Sequence, residues 1–467
     1  MLHIAVVGSG ASAISTIEAA LTVDLEIQID VFDPWFELPK HEESNLDFNP
    51  NQLAKKGRFG SLAMYRYPTE SISVDSNLHI PLSGSVGGLT SVWGANSVIP
   101  DSQEVEAYAG RFATESIEWV TKYASIKNLN TVPDPEHFFI SDRFRNLLSD
   151  RQIFSGIEIT PASLSIHIDS CTKISGCLSG CKNQAIFSAE QEIYRLVRNG
   201  KVTLQKGFVQ KIEQNQYSKF TLHLEVGGRN ESSLKSYDKV FVTGGSIASC
   251  SLLQRSGLMP AEIHLKDTQV FYSAYFVREK NIEQSLNFEL SQIFLRRRMH
   301  LHISLYEFSS QFIHRARLII GPLIKLVPKN LWNHIVAGIG FINSSESGYL
   351  HLEYRNSRTY ITQVPNGKSK KAIRKNMVAV RKSLKGVGFF HIPFLNKIPN
   401  VGASYHVGAA NVGGEPLFSP NGKIVERQDL ELYVLDSASL SDLPVGPITT
   451  TVMAAAYARA KMALLNE

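Results

Sequence analysis

The first 33 residues contain two short apolar runs separated by a glycine turn and by a stretch with helical spacing. The first run, residues 4–7, leads into Gly8-Ser-Gly, and the second run, residues 29–33, ends in an acid at Asp33. Between them, apolar residues recur three or four positions apart, which is the period of a helix with one buried face. The pattern predicts a strand, a tight turn, a helix and a second strand, which is a βαβ unit.

The turn of this unit has the residue types that dinucleotide binding requires. Gly8 permits a tight turn after the strand, Gly10 lets backbone N–H groups approach a pyrophosphate, and Ala13 lets the helix pack close to the sheet. Asp33 follows Gly8 by 25 residues, where its carboxylate is placed to accept the hydroxyls of an adenosine ribose. Asp30 is a weaker candidate because it lies within the strand. The helix N-terminus then faces the phosphates.

Further strand patterns are spread along the chain rather than gathered in one block. They lie at residues 201–204, 208–212, 239–245, 349–354 and 431–436, and a helical pattern follows at 449–465. We therefore predict an α/β fold in which a Rossmann-type domain, assembled from separate pieces, carries a second α+β substrate domain built on an antiparallel sheet. The predicted nucleotide-binding pieces are residues 1–105, 151–265 and 401–467, with a substrate or lid segment at 106–150 and the substrate domain at 266–400.

Length and charge restrict the class of protein. A chain of 467 residues is too long for one ordinary core. The net charge of +5 is modest at this size and gives no reason to expect a nucleic-acid partner. No run approaches the ~20 apolar residues of a membrane span. Because the first strand begins at Leu2 or His3, there is no room for a secretory signal, and we expect a cytoplasmic protein.

Six motifs in the same order resemble the glucose-methanol-choline (GMC) oxidoreductases, which oxidise alcohols with FAD. The resemblance extends over most of the chain. The motifs are the glycine turn at Gly8, Gly-Gly-x-Thr-x-x-Trp from Gly87 to Trp93, Gly244-Gly followed by Ser249-Cys-Ser-Leu-Leu-Gln-Arg-Ser-Gly, Tyr405-His-Val-Gly-Ala-Ala-Asn-Val-Gly-Gly, Leu432-Tyr-Val-Leu-Asp-Ser-Ala-Ser and Pro447-Ile-Thr-Thr.

The resemblance implies a cofactor, a catalytic base and a set of contacts. His406 matches the family's base, and with the ordinary imidazole pKa of about 6.5 it would be substantially neutral at neutral pH. Its alternative role is that of a buried structural histidine. Val92 stands where some relatives bind FAD covalently through a histidine, so we expect non-covalent FAD. The implied FAD contacts are Gly8, Gly10, Ala13, Asp33, Gly87, Gly88, Thr90, Val209, Gly244, Asp436 and Thr450. For Asp436 a turn or helix cap is the structural alternative.

One position departs from the family pattern. Relatives place a second histidine or an asparagine before the final proline, whereas this chain has Gly446. Three explanations are open: another side chain takes the place of this residue, a water molecule does, or the chain has lost rapid alcohol oxidation and binds flavin for another purpose.

A different class of protein, the NAD-dependent dehydrogenases, would also use Asp33. That class leaves the Gly87 stretch and the C-terminal motifs without a role. The substrate expected from the resemblance is an alcohol, with a sugar or polyol as an extrapolation.

Three of the four cysteines lie within eleven residues. Cys171, Cys177 and Cys181 are separated by five and then three residues, which is not the spacing of a zinc knuckle. The spacing resembles that of the FAD glucose dehydrogenases, in which such cysteines hold a three-iron cluster, with Lys173 and Lys182 here able to offset its charge. A cluster would imply an electron-acceptor protein or a quinone. The alternative is a turn packed beside the flavin without metal.

Two basic stretches complete the sequence. Residues 295–340 alternate apolar and basic positions with few acids, which fits peripheral contact with anionic lipid or, alternatively, a helix pair with solvated charges. Residues 368–385 predict an ordinary helix with a charged outer face and Ile373, Val378, Val380 and Leu384 on the inner one.

Overall fold

The computed structural model covers both the predicted nucleotide-binding unit and the predicted second domain. It describes residues 1–34, 71–78, 80–91, 93–100, 103, 105–106, 110–126, 140–149, 156–167, 170–171, 177, 181, 183–226, 229–233, 235–278, 289–308 and 328–466. Val92, Lys173 and Lys182 lie outside these residues, as do 35–70 and the apolar and basic stretch 309–327.

Twenty strands and eight α-helices lie within the described residues. The strands are β1 Leu2–Val7, β2 Ile27–Asp33, β3 Ile72–Val74, β4 Glu158–Pro161, β5 Thr203–Lys206, β6 Phe208–Gln214, β7 Phe220–Val226, β8 Arg229–Ser232, β9 Lys239–Val242, β10 Glu262–Asp267, β11 Val270–Val277, β12 Ile293–Arg297, β13 Leu301–Glu307, β14 Ile335–Ile342, β15 Tyr349–Arg355, β16 Arg358–Val364, β17 Phe389–His391, β18 Val407–Val412, β19 Glu415–Pro416 and β20 Leu432–Val434. The α-helices are α1 Ala11–Thr22, α2 Ala113–Ile126, α3 Asp142–Ser149, α4 Ala189–Arg198, α5 Ser246–Arg255, α6 Lys329–Trp332, α7 Ser369–Lys385 and α8 Thr449–Leu465. Short 3₁₀ helices span Gly88–Ser91, Gly110–Phe112, Ser344–Glu346, Pro393–Leu395, Val425–Arg427 and Ser437–Ser439.

The nucleotide-binding sheet is parallel and is built from distant parts of the chain. Its strand order is β20-β9-β1-β2-β5, and each neighbouring pair is parallel. β1 forms the centre because its apolar residues Ile4 and Val6 are almost fully buried. Helices α1 and α8 pack together against the sheet. Parallel strands buried on both faces in this way are typical of doubly wound α/β domains.

The second sheet has six strands, and its two faces differ in character. Its order is β17-β11-β14-β13-β12-β4, with antiparallel pairing throughout. On one face, Ile303 and Leu305 of β13 form a core with Ile373 and Leu384 of α7. The opposite face carries the alternate residues of β13, beginning with His302, because successive side chains of a strand point to opposite faces.

A third, mixed sheet contains the strand that follows His406. Its order is β19-β18-β10-β15-β16-β3. β18 pairs with β10, and its register shifts between Leu265 and Lys266. This sheet shares a core with β9 of the nucleotide-binding sheet, so the two sheets hold the segment before β18 at their boundary.

The predicted fold class is confirmed, since a parallel sheet and an antiparallel sheet both occur. The predicted domain boundaries stay a prediction; β4, placed in the second nucleotide-binding piece, pairs with β12 of the predicted substrate domain. Helix α7 occurs where predicted, but Val378 is 50% exposed and therefore not on its inner face. The described parts of 295–340 belong to β12, β13, α6 and β14, while the lipid-contact and helix-pair interpretations rest largely on residues 309–327, outside the described residues. None of the described helices is both long and apolar enough to cross a bilayer.

Candidate active site

A large cleft opens where the strands of the parallel sheet end. Its volume is about 1430 Å³, including its open mouth. Ligands of open α/β sheets bind outside the carboxyl ends of the strands, and this cleft has that position. Nine of the eleven residues predicted to contact the cofactor line it: Gly8, Gly10, Asp33, Gly87, Gly88, Thr90, Val209, Gly244 and Asp436.

Two glycine turns meet at one point of the cleft. Gly8 has a φ of +110°, and a Cβ there would lie 2.7 Å from the backbone oxygen of Thr243, so only glycine fits. A Cβ at Gly10 would meet no heavy atom within 4 Å. A Cβ at Gly88 would lie 3.6 Å from the Cα of Gly10. The turn after β1 and the second glycine stretch therefore lie side by side, and the space above Gly10 is open.

Ser9 joins the two turns to the acid at the end of β2. The Ser9 hydroxyl donates to Asp33, and the backbone N–H of Gly87 donates to Ser9 Oγ at 2.9 Å. Asp33 is buried at the cleft wall. The sequence reasoning did not single out Ser9, because it occupies an unspecified position of the glycine motif. Its hydroxyl holds the carboxylate in the place where a ribose would be recognised.

Thr90 and Trp93 stabilise the second glycine turn. Thr90 Oγ1 donates to the Gly87 carbonyl at 2.6 Å and accepts from the N–H of Ala189 at 2.9 Å. The Trp93 indole donates to the Phe187 carbonyl at 2.9 Å. Both side chains are buried and line the cleft. They therefore anchor the turn on the start of α4 while presenting the rest of their surface to the cleft.

Asp436 has the capping role that was its structural alternative, and it also lines the cleft. Its carboxylate accepts from the N–H of Ala438 at 2.9 Å, from the N–H of Gly245 at 2.9 Å and from the Ser249 hydroxyl. Burial raises the pKa of Asp436, and the hydrogen bonds and the charge of Arg459 act in the opposite direction. The acid thus ties the 3₁₀ helix 437–439 to the start of α5.

Ala13 and Thr450 do not line the cleft. Ala13 is fully buried in the core of the nucleotide-binding domain, which is the packing role that its position in the glycine motif predicts. Thr450 is also buried, and its hydroxyl donates to the Val98 carbonyl. Its neighbour Thr449 lines the cleft in its place.

His406 lies between the cleft and the second sheet. Its neighbours Tyr405 and Val407 line the cleft, while His406 itself is 2% exposed and is not among the lining residues. Its ring centroid lies 4.5 Å from that of Phe341 on β14. Nδ1 of His406 has no hydrogen-bond partner among the described residues. Burial lowers the pKa of His406 to about 3, well below the expected 6.5, so the ring is neutral at physiological pH.

A buried acid holds the loop that carries His406. Asp267, at the end of β10, accepts from the N–H of Gly402 at 3.2 Å and from the Ser404 hydroxyl at 3.4 Å. The N–H of His406 in turn donates to Ser404 Oγ at 3.3 Å. Burial raises the pKa of Asp267 to about 7, and the two hydrogen bonds act against that shift. Asp267 therefore positions residues 402–406 through Ser404.

The space beside Gly446 is filled by another histidine. Gly446 has a φ of +116°, and a Cβ there would lie 2.7 Å from Cγ and 3.0 Å from Nδ1 of His302. His302 is fully buried, and its Nε2 lies 2.9 Å from Ser304 Oγ. Burial lowers the pKa of His302 well below its usual value, and the nearby Arg296 and His406 add to the effect. Sequence reasoning gave no role to this residue.

The cysteines do not form a recognisable metal site. Cys177 is buried, whereas Cys171 and Cys181 are partly buried, and all three pack against the core of the nucleotide-binding domain. Burial raises the pKa of Cys177 to about 12, which disfavours the thiolate that a metal requires. The described part of the chain contains no group of three side chains arranged to hold a metal ion. The predicted iron–sulfur cluster therefore has no support.

Comparison with known proteins gives the fold. No protein-family model matches the sequence, and no curated protein matches it. Pyridoxine 4-oxidase from Mesorbium loti aligns over 99% of this chain and 99% of its own, with a TM-score of 0.64 and 13% identity. A variant of formate oxidase from Aspergillus oryzae RIB40, solved to examine the effect of a mutation on FAD modification, aligns over 100% and 99%, with a TM-score of 0.65 and 11% identity. A second formate oxidase structure gives 0.64 and 11% over the same shares. These neighbours are GMC oxidoreductases, so the chain has the fold that its motifs imply.

Proposed function

We propose that this protein is an FAD-dependent oxidoreductase of the GMC type that oxidises an alcohol group and passes the electrons to an acceptor other than NAD. The main observation in support is that Gly10 and Gly88 meet in one cleft. A Cβ built on Gly88 would lie 3.6 Å from the Cα of Gly10, and Asp33 lies at the wall of the same cleft. An NAD site needs only the first of these turns. FAD gives both turns a role.

The residues of the cleft fit FAD. Open space above Gly10 at the N-terminus of α1 suits a pyrophosphate, because unpaired N–H groups there attract negative charge. Asp33 suits the adenosine ribose, and the buried strand residue Val209 supplies an apolar wall. When bound, FAD supplies a two-electron acceptor for the hydride of the substrate.

His406 is proposed as the group that takes the proton of the alcohol oxygen. Its ring is neutral, because burial lowers its pKa to about 3, so a lone pair is available for a proton. The loop held by Asp267 and Ser404 fixes the backbone of His406, and Phe341 limits movement of its ring. This arrangement supplies orientation; substrate and cofactor would change the surroundings that set the basicity.

A second candidate function is binding of flavin without rapid catalysis. The observation in its favour is the burial of both histidines, since His406 is 2% exposed and His302 is fully buried. A substrate must then enter a region that is closed in this structure. Such a protein would bind FAD in the same cleft but would not transfer electrons from alcohols.

Anaerobic addition of alcohols to the FAD-loaded protein separates these functions. Suitable probes are pyridoxine, glucose, glycerol and benzyl alcohol, with formate as the substrate named for a structural neighbour. Bleaching of the flavin bands by an alcohol supports the oxidoreductase. Retained flavin that no probe bleaches supports the second candidate. Reoxidation by air, followed as hydrogen peroxide, then tests oxygen as the acceptor, with a quinone dye as the comparison.

A further inference from the structure

The face of the second sheet that looks away from α7 carries a row of polar side chains. His302, Ser304 and Tyr306 occupy alternate positions of β13 and therefore share one face. His302 Nε2 lies 2.9 Å from Ser304 Oγ, and Asn96 Nδ2 donates to the Tyr306 hydroxyl at 3.0 Å. All three strand residues are buried. A buried polar row of this kind is costly unless its groups are paired or used.

This row meets the segment that carries His406. Phe341 pairs directly with His302 across β13 and β14, and its ring lies 6.3 Å from that of His302 and 4.5 Å from that of His406. His406 lies close enough to His302 to contribute to the lowering of its pKa. The second sheet thus places His302 on the same aromatic side chain that His406 contacts.

Both rings keep one nitrogen without a partner. Nδ1 of His302 and Nδ1 of His406 are buried and have no hydrogen-bond partner among the described residues. Leaving a buried polar atom unpaired costs roughly 1–3 kcal/mol. The other nitrogen of His302 lies 2.9 Å from Ser304 Oγ, which sets the ring orientation, and the edge of the ring that carries Nδ1 borders position 446.

We infer that His302 supplies, from the second sheet, the imidazole that position 446 lacks, and that it forms the second hydrogen bond to the alcohol oxygen beside His406. The inference rests on the proposed function. When bound, FAD would accept the hydride as the C–H bond breaks, and the cofactor would be reduced by those two electrons. The O–H bond breaks, its proton goes to His406, and a carbonyl forms. His302 neither gains nor loses a proton in this step, and it orients the alcohol oxygen.

The spatial part of this inference is tested in the apoprotein by a double-mutant cycle. Gly446→Ala lowers the melting temperature because of its φ and because its Cβ overlaps His302. In a His302→Ala background the contacts to Cγ and Nδ1 are removed and only the contact to Cβ at 3.0 Å stays, so the further loss from Gly446→Ala is smaller. His391→Ala is the control, since His391 lies on the edge strand β17 of the same sheet and contacts Tyr275 on the other face. The assignment is overturned if Gly446→Ala lowers the melting temperature equally in the wild type, in His302→Ala and in His391→Ala.

The chemical part is tested by rapid anaerobic mixing of the FAD-loaded protein with an alcohol that bleaches the wild type. His302→Ala retains FAD but slows flavin reduction roughly a hundredfold. His302→Asn, which keeps a hydrogen-bonding group, slows it less, and added imidazole partly restores the rate of His302→Ala. His391→Ala leaves the rate unchanged.

Two outcomes overturn the inference, and they are distinguishable. If the wild type is reduced and His302→Ala is reduced equally fast, or is slowed without a difference from His302→Asn and without rescue by imidazole, His302 is structural and the proposed function stands. If the wild type binds FAD and no alcohol reduces it, the proposed function fails, and the role of His302 fails with it.

Discussion

Gly10 and Gly88 lie side by side in the wall of the cleft, since a Cβ built on Gly88 would be 3.6 Å from the Cα of Gly10. They come from two glycine turns that are far apart in the sequence, and Ser9 joins these turns by accepting from the N–H of Gly87 at 2.9 Å. A Cβ at Gly88 would contact Gly10, whereas a Cβ at Gly10 would meet no heavy atom within 4 Å and would extend into the open cleft. Mutations at these positions therefore test the proposed cofactor site.

Gly10→Val is expected to prevent FAD binding without disturbing the fold. Gly10 has a φ of −76°, which valine adopts, and its position as the N-cap of α1 uses no side-chain hydrogen bond. A Cβ at this position meets no heavy atom within 4 Å, and because Gly10 lines the cleft the added side chain extends into it. We expect the dissociation constant of FAD, measured by quenching of flavin fluorescence, to rise roughly a hundredfold, about 2.7 kcal/mol.

Gly367→Val is the matched control, because a Cβ at Gly367 also meets no heavy atom within 4 Å and this residue does not line the cleft. It should bind FAD as the wild type does. Equal FAD affinity in Gly10→Val and Gly367→Val, with both proteins folded, would place the cofactor elsewhere.

His406→Gln is expected to keep FAD and lose alcohol-dependent reduction. The residue is not among those lining the cleft, so cofactor affinity should not change. Loss of a positioned base lowers the rate of flavin bleaching about 10²–10⁴-fold. Rapid anaerobic mixing measures this rate. Reduction of the variant at the wild-type rate would remove the proposed role of His406.

Acid should destabilise the protein through His406. Its pKa is lowered by burial to about 3, whereas an unfolded histidine titrates near about 6.5. The stability that depends on the neutral ring is therefore complete above about 6.5 and is lost as the pH falls towards 3. We expect the melting temperature of the wild type to fall more steeply than that of His406→Gln between these values. Parallel curves would contradict the buried, neutral ring.

Asp267 should make the protein less stable as the pH rises, which is the opposite of the effect of His406. Burial raises its pKa to about 7 from an unfolded value of about 3.9. A raised carboxyl pKa means that stability is greatest below the unfolded value and is lost as the pH rises through the folded one. The melting temperature of the wild type should therefore decline between pH values of about 4 and 7 more than that of Asp267→Asn. Asp24→Asn, at an exposed site, is the control and should follow the wild type.

The fold was predictable because its signals are local. The turn at Gly8 and the acid at Asp33 lie in one short unit whose residue types specify its shape, and the structure places both at the cleft. The alternation along residues 349–354 likewise predicts a strand, which the structure contains as β15. Such signals depend on neighbours in the sequence, so a single chain is enough to interpret them.

The site was predictable only where a motif named the residue. Residues 301–306 alternate apolar and polar, a pattern that ordinarily predicts one buried and one solvated face, whereas the structure buries both faces, so the pattern does not single out His302. Its proximity to Gly446 arises from the packing of two segments that are distant in the sequence. Thr450 was placed by its motif but faces Val98 instead of the cleft, because the start of α8 presents Thr449 there.

The measurement that tests the account most directly is the flavin content of the purified protein after incubation with FAD, followed by acid precipitation. The cleft that joins Gly10, Gly88 and Asp33 predicts one FAD per chain, released into the supernatant because it is held without a covalent bond. A protein that is folded, retains no flavin after incubation and binds NAD instead would contradict the assignment of this cleft.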